Sequence, residues 1–600
     1  MCAIFGIIGE YDTSLAKKSI ALLSHRGPDY CGIVEKKNLF IAHNRLSIVD
    51  LSEKAAQPMQ KDDIILSFNG EIYNFKALQA ELDTVFESQS DTEVVLRAYQ
   101  KWGLSFVDKL EGMFAISIYD KGKLYLFRDR LGKKPLYYMK TSKAFVFASE
   151  IKAILPFLKN KELNKDALHA YLSFLSPTPP HTFYQGIEKL ESGHFGLYKE
   201  GRFEVKAYYD LLPSSIKIDT HDKAIRSIRT CLQESIQKRL MGDVEVASLL
   251  SGGLDSSLIA ALSSEMGAKL KTFSLGYEGY QKYDERKYAK EVADHLGVEN
   301  IDIELSKKTF FDNLDRVIDA LDEPINDPAA IPLYSLFERV KQEGIKVVLS
   351  GEGADELFLG YKHYFEYLDI EKAGELKHKS WLNKQLQSNF SMHREWEWYK
   401  RTFNSEVLFR SSGEKFTDRQ KNLLMKENIA DGFSFQYLEK YRERFERLGN
   451  RDESQWYSYV DLKQFQAEHF LTKLDRVSMA HGIEGRTPFL DHKLVEQVFS
   501  LKPNLRYESG ISKDLLKKIA RPYLPERIIT RKKKGFSSPY LEWLIEAGEL
   551  ERILRVNERT DLFHHDVLRE YIDEGKKGRF KQHIWGLYLF SRWYENINGF

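Results

Sequence analysis

Up to about residue 200, apolar residues come in short alternating or continuous runs broken by Gly and Asn. The runs over 38–44, 64–69, 113–119, 123–128 and 144–148 predict strands. Helical spacing of apolar residues over 92–102 and 165–174 lies between them, so sheets covered by helices are expected. After Tyr208 the texture changes. From Lys223 on, long amphipathic helical patterns alternate with intensely apolar runs over 244–250, 271–275 and 346–349. Unbroken apolar runs of that length suit strands buried on both faces of a parallel sheet. The boundary is expected between 205 and 220, giving an α+β domain over 2–210 and an α/β domain over 211–600. Within the second, residues 360–470 carry many aromatics among charges of both signs, as over 393–400. Interleaved carboxylates there predict amphipathic helices over a core, not a base-stacking surface.

Composition narrows the function classes. A length of 600 residues favours two or three domains. Lys plus Arg, 89, nearly cancels Asp plus Glu, 88, so no global field draws in a nucleic acid or an anionic membrane. Three cysteines, Cys2, Cys31 and Cys231, are too few for a disulfide framework and fit a reducing cytosol. The opening apolar run has no cationic stretch before it and meets Glu10 and Asp12 at once, unlike a signal peptide. No run approaches the roughly 18 apolar residues of a membrane helix. A cytoplasmic protein with no nucleic-acid or membrane partner is expected.

Cys2 directly follows the initiator methionine. A small second residue favours methionine removal, which would give one residue both a thiol and, in its α-amine of pKa about 7.7–8.0, a base. Four nearby segments supply what a glutaminase needs. The side-chain amide of Asn69 and the backbone N–H of Gly70 suit an oxyanion. Arg45 suits a substrate carboxylate through a forked contact, and Glu71 and Asp91 suit an ammonium. In order, MCAIFGIIG, HRGPD, RLSIVD, FNGEIYN and SDTE resemble the glutaminase domain of class II, N-terminal-nucleophile amidotransferases. That resemblance implies an αββα sandwich, a γ-glutamyl thioester on Cys2, and Ile48 and Val49 beside the bound glutamine.

Farther along, Ser251-Gly252-Gly253-Leu254-Asp255-Ser256-Ser257 follows an apolar run and opens a helix expected over 257–266. Strand, glycine turn and helix start together make an anion site, without the Gly-Lys-Ser/Thr ending of a Walker loop. The heptad resembles the PP-loop of enzymes that split ATP to AMP and pyrophosphate, in a fold similar to the adenine nucleotide alpha hydrolases. Ser350-Gly351-Glu352-Gly353-Ala354-Asp355-Glu356 is a second glycine turn after a strand. Asp255 and Asp355 are the candidates for Mg²⁺ bound with ATP, and Glu352 for handling the proton of ammonia or orienting the acceptor. Residues 473–476, 484–491 and 531–536 complete a likeness to the asparagine synthetase family. It implies Lys533 as the charge-stabilising lysine, and Leu250, Leu275, Ser350 and Gly351 at adenosine. Asp475 and Arg486 would then lie at the acceptor pocket. One departure stands beside that pocket, Leu359, where the family usually has Gly.

The resemblance therefore implies an ATP-dependent carbon–nitrogen ligase that frees ammonia from glutamine and couples it to aspartate. Its partners are small molecules, glutamine, ATP and aspartate or another carboxylate, and a homodimer is allowed. Three alternatives remain open at this point: a sister amidotransferase acting on a sugar acid or peptide, a β-lactam-forming synthetase, and a regulatory relic. The last 60 or so residues carry no readable motif.

Overall fold

The structure is a computed structural model and describes every residue except 1, 212–217, 388–393, 431, 450, 451, 509, 534, 536 and 600. Met1, the middle of the expected boundary, His393, Lys534 and Phe536 thus lie outside the described residues.

Two six-stranded antiparallel sheets form the amino-terminal part. One runs in the order Ile187–Lys189, Tyr137–Lys140, Ala144–Ala148, Ala3–Gly9, Leu39–Arg45, Tyr30–Lys36. The other runs Arg202–Ala207, His194–Lys199, Lys123–Arg128, Gly112–Asp120, Ile64–Ile72, Met59–Lys61. The period of two divides the side chains of the first strand. Ile4 packs between the sheets with Ala115, Leu126 and Phe147. Ala3, Phe5 and Ile7 turn outward, where helices Thr13–Ala21 and Lys165–Phe174 supply Ala16, Ile20, Leu168 and Tyr171. On the far side, helices Phe75–Leu82 and Asp91–Trp102 cover Leu66, Phe68 and Ile116. The result is the expected αββα sandwich. One extension bears on the site: Ile64–Ile72 runs past the expected end at residue 69, so Gly70 and Glu71 also lie on the strand. Gly112–Asp120 goes on pairing with it, Gly70 facing Phe114, and a Cβ on Gly70 would stand 2.0 Å from the Met113 carbonyl.

The third sheet is wholly parallel, in the order Asn300–Leu305, Lys271–Tyr277, Val246–Leu249, Val347–Leu349, Glu484–Arg486. Chain order reverses between Val246–Leu249 and Val347–Leu349, which makes the crevice beyond their carboxyl ends the expected ligand position of such a sheet. Helix Leu254–Glu265 starts three residues before its expected position because Gly253 serves as its N-cap. Asp255 and Ser256 therefore belong to its first turn. The described part of 360–470 holds helices as expected, among them Lys362–Lys372, Glu395–Phe403 and Gln436–Arg447, and ends in a π-helical stretch, Asp461–Phe470, continuous with helix Leu471–Met479. The unread carboxyl terminus forms helices, the last of which, Lys581–Asn598, docks on the sandwich: Tyr171 donates to the Gly586 carbonyl at 2.8 Å. Among the described residues no helix is long and apolar enough to cross a membrane.

Candidate active sites

The first site lies where the two antiparallel sheets meet the third. Cys2, 6% exposed, precedes the strand Ala3–Gly9, and its backbone nitrogen donates to Asn69 Oδ1 of the facing sheet at 3.1 Å. The other amide atom of Asn69, Nδ2, is buried without a partner among the described residues, leaving a donor free beside the thiol. Arg26 Nε, from the HRGPD turn, donates to the Cys2 carbonyl at 3.1 Å and holds the residue from behind. Burial pushes the Cys2 thiol up, so a base close by is needed to draw its proton.

A narrow pocket of about 30 Å³ opens on Cys2, with Arg45, Ile48, Val49, Gly70, Glu71 and Asp91 in its wall. The carbonyls of Ser52, at 2.8 Å, and Asp50 orient the Arg45 guanidinium. Asp91 opens its helix behind the Ser90 cap and accepts from the Ile72 nitrogen at 3.0 Å. Burial lifts Asp91 to about 7 and Glu71 well above the usual carboxylate range; the Asp91 charge raises Glu71 further, and Glu484 raises both. Such a pair gains from a cation, and the ammonium of an amino acid is one.

Arg486 requires a correction. It was expected at the acceptor pocket, yet it is fully buried at this first site: Nε donates to Glu484 Oε1 at 2.6 Å, and Nη2 stands 3.5 Å from Glu71 Oε2. The edge strand of the parallel sheet thus finishes the glutaminase pocket, and Glu484 in its wall was missed. Asp475 is displaced likewise. It pairs with Arg26 at 2.8 Å and Lys134 at 3.4 Å, two residues of the sandwich, and has no place in the wall of the second cavity.

The second site is a cavity of about 710 Å³ at the switch point of the parallel sheet. Leu250, Ser251, Gly253, Asp255 and Ser256 line it from one loop, and Ser350, Gly351, Glu352 and Asp355 from the other, with Leu275 and Lys533. Ser251 and Ser256 hydroxyls meet at 3.1 Å, and the Gly253 nitrogen donates to Ser251 Oγ at 3.3 Å, which shapes the turn. Two expected members stand back from the wall. Gly252, at φ +67, is there for the turn, since a Cβ would lie 2.5 Å from Tyr288 backbone. Ser257 is fully buried within the helix.

At the centre, Lys513 Nζ bridges Asp255 Oδ2 at 2.5 Å and Asp355 Oδ1 at 2.7 Å, and Lys533 Nζ reaches the same Asp355 oxygen at 2.5 Å. Burial opposes ionisation of Asp355, but Lys513 and Lys533 outweigh it and hold the carboxyl at about 2. Asp255 stays raised, mainly by burial, and its Oδ1 has no hydrogen-bond partner among the described residues. Two carboxylates sharing cationic charge, one with a free oxygen, fit Mg²⁺ carried in on a nucleotide. Among the described residues no group of three or more His, Cys, Asp or Glu could hold a metal, so its other ligands would come from phosphate and water.

Glu352 sits 3.8 Å from Lys473 Nζ, which itself pairs with Asp327 Oδ2 at 2.7 Å, and burial raises the Glu352 carboxyl. Lys513, Lys473 and Asp327 were not anticipated. The 473–476 segment pointed near Lys473, whereas Lys513 follows no glycine-rich turn that would mark it.

Comparison with known proteins gives the family. The family described as Glutamine amidotransferase domain matches residues 1–209, which sets the class as a glutamine amidotransferase. The family described as Asparagine synthase matches residues 227–595. "Asparagine synthetase [glutamine-hydrolyzing] 1" of Bacillus subtilis (strain 168) is 32% identical, over 99% of this chain and 96% of its own length. "Amidase chyE" of Penicillium rubens is 28% identical, over 90% of this chain and 86% of its own. The chain belongs to the asparagine synthetase family.

Proposed function

We propose that the chain is a glutamine-hydrolysing, ATP-dependent ligase that makes asparagine from aspartate, with Cys2 as its nucleophile once Met1 is removed. The nitrogen now on Asn69 is then the α-amine, and it takes the thiol proton as Sγ attacks the side-chain carbonyl of glutamine. Asn69 Nδ2 and the Gly70 N–H receive the negative oxygen. Arg45 binds the substrate α-carboxylate, while Glu71 and Asp91 bind its ammonium. The C–N bond breaks, the amine returns its proton to the leaving nitrogen, and ammonia departs. Water then releases glutamate from the thioester.

In the second cavity one aspartate carboxylate oxygen attacks the α-phosphorus of ATP, and the bond to pyrophosphate breaks. Mg²⁺ held by Asp255 and Asp355 would neutralise the departing phosphates, with Lys533 stabilising charge at the reacting phosphorus. Ammonia attacks the acyl carbon of the adenylate, AMP leaves, and Glu352, made more basic by burial, accepts the surplus proton. The observation that carries this reading is one chain holding both Cys2 on Asn69 and a switch-point cavity where Asp255 and Asp355 share Lys513.

Mass spectrometry of products from glutamine, MgATP and aspartate tests it. Cys2→Ala is expected to lose synthesis from glutamine and keep synthesis from ammonia; loss of both would overturn the division of labour. The near full-length likeness to a relative named as an amidase favours one second reading, amidation of another carboxylate by the same steps. Asparagine absent but AMP formed with a different acid would decide for it.

A further inference from the structure

Beside the two glycine turns, the wall of the synthetase cavity carries a further run of side chains. Lys533 Nζ sits 3.7 Å over the Tyr361 ring, and Tyr361 stacks on His363 at 5.1 Å. His363 Nε2 meets Ser412 Oγ at 2.7 Å, and the Ser412 carbonyl accepts from Lys415 Nζ at 3.4 Å. All five residues line the same cavity, as does Gln582 of the last helix. Lys415 is the odd member. Among the described residues no carboxylate pairs with it, and those whose charge it senses are committed elsewhere. Glu414 is held by Arg401 at 2.8 Å, and Asp461 by Ser411 at 2.9 Å, by Ser412 at 2.5 Å and by Tyr364 at 2.6 Å. Burial, with Arg394 next in weight, pushes the Lys415 ammonium down to about 7, as befits a cation whose desolvation no partner offsets. A half-buried ammonium on a cavity wall with no carboxylate paired to it is costly unless an anion enters.

We propose that Lys415 anchors the acceptor subsite, pairing with an anionic group of the acid other than the carboxylate being activated. The reading rests on the ligase chemistry above and narrows its substrate class to acids with a second negative group. Nucleotide phosphate is not the anion meant, because Lys513 and Lys533 already serve that region from Asp255 and Asp355.

ATP–pyrophosphate exchange tests this on the full chain. With aspartate, K415M is expected to raise half-saturation for the acid about tenfold or more, the worth of one charge-assisted hydrogen bond. Half-saturation for ATP should stay unchanged, and K415R should recover most of the loss. Wild type given 3-aminopropanoate, which is aspartate without its α-carboxylate, should show a loss like that of K415M, and the two losses should not add. Equal half-saturation for aspartate in wild type and K415M would sink the subsite and leave the aspartate reading standing. Exchange driven by a different di-acid, but not aspartate, and still weakened by K415M would do the reverse. Use of 3-aminopropanoate as readily as aspartate by the wild type overturns the subsite without needing any variant.

Discussion

Gly360→Ala isolates the geometry of the reacting centre. The φ of Gly360 lies outside the left-handed region, so alanine meets no backbone penalty, and its effect comes only from the methyl. That methyl would stand 2.0 Å from Asp355 Oδ1, 2.4 Å from Lys513 Cε and 2.9 Å from Asp355 Cα. A carboxylate can swing away, but the Cα cannot, so both the turn and the oxygen must move, the oxygen by about 1 Å or more to reach ordinary contact. This oxygen is the one that both lysines hold, at 2.7 and 2.5 Å. Charge-assisted bonds are worth about 1.5–3 kcal/mol each, and a 1 Å misplacement at a reacting centre about a hundredfold in rate. Pyrophosphate exchange should therefore fall about a hundredfold or more. Glutamine hydrolysis should remain within a few-fold, because the Cys2 pocket shares no wall residue with this cavity. Wild-type exchange in a folded G360A protein would refute the assignment of Asp355 to the centre.

Three other outcomes follow from the same structure. Asp91→Asn should weaken glutamine binding, read as a raised KM. It should also raise Tm relative to wild type at pH 8 and not at pH 4: the penalty for ionising Asp91 grows as pH climbs from its unfolded value near 3.9 through about 7. Leu359→Gly removes a left-handed strain of about 1–2 kcal/mol, at φ +52, but also a fully buried side chain worth about 2–5 kcal/mol, so a lower Tm is expected and a higher one would show the strain to dominate. Asp475→Asn should reduce the extent to which ATP and acceptor together speed glutamine hydrolysis, measured as the ratio of rates with and without them; an unchanged ratio rules out a role in coupling.

Local patterning carried much of the fold. Runs at 123–128, 144–148 and 165–174 coincide with Lys123–Arg128, Ala144–Ala148 and Lys165–Phe174, because alternation and periodicity record which faces are buried. Glycine turns after strands marked both loops of the second cavity for the same reason: the backbone need is written in the residue type. What stayed hidden depends on docking between parts of the chain. Lys513 reaches Asp255 and Asp355 from a left-handed residue, φ +55, outside any motif. Lys415 lies in the irregular segment between helices Glu395–Phe403 and Asp418–Leu424, whose approach to the cavity no periodicity describes. The carboxyl-terminal helices bury their apolar faces against the sandwich, through Phe183 and Trp593 at 4.9 Å, so their meaning lies in a partner about 400 residues away.

Arg486 and Asp475 show why motif order alone misplaces a residue. Both stand among motifs expected to serve ATP chemistry, and both lie against residues of the sandwich, Arg26 and Glu71. Helix Leu471–Met479 makes the consequence physical. Lys473 on it faces Asp327 and Glu352 in the second cavity, and Asp475, two residues on, grips Arg26, whose Nε holds the Cys2 carbonyl. Arg476 on the same helix pairs with Glu150 at 3.0 Å and Asp322 at 3.2 Å, one carboxylate from each part of the chain. These charges are buried, so none can be lost cheaply, and the helix cannot shift at one end without disturbing ion pairs at the other. Under the proposed roles of Cys2 and Glu352, a charge arriving at Glu352 is expected to load the Lys473 end of this helix and be felt at Arg26 behind Cys2, and by linkage glutamine bound at Cys2 would act on Glu352 to the same extent, which is what Asp475→Asn tests.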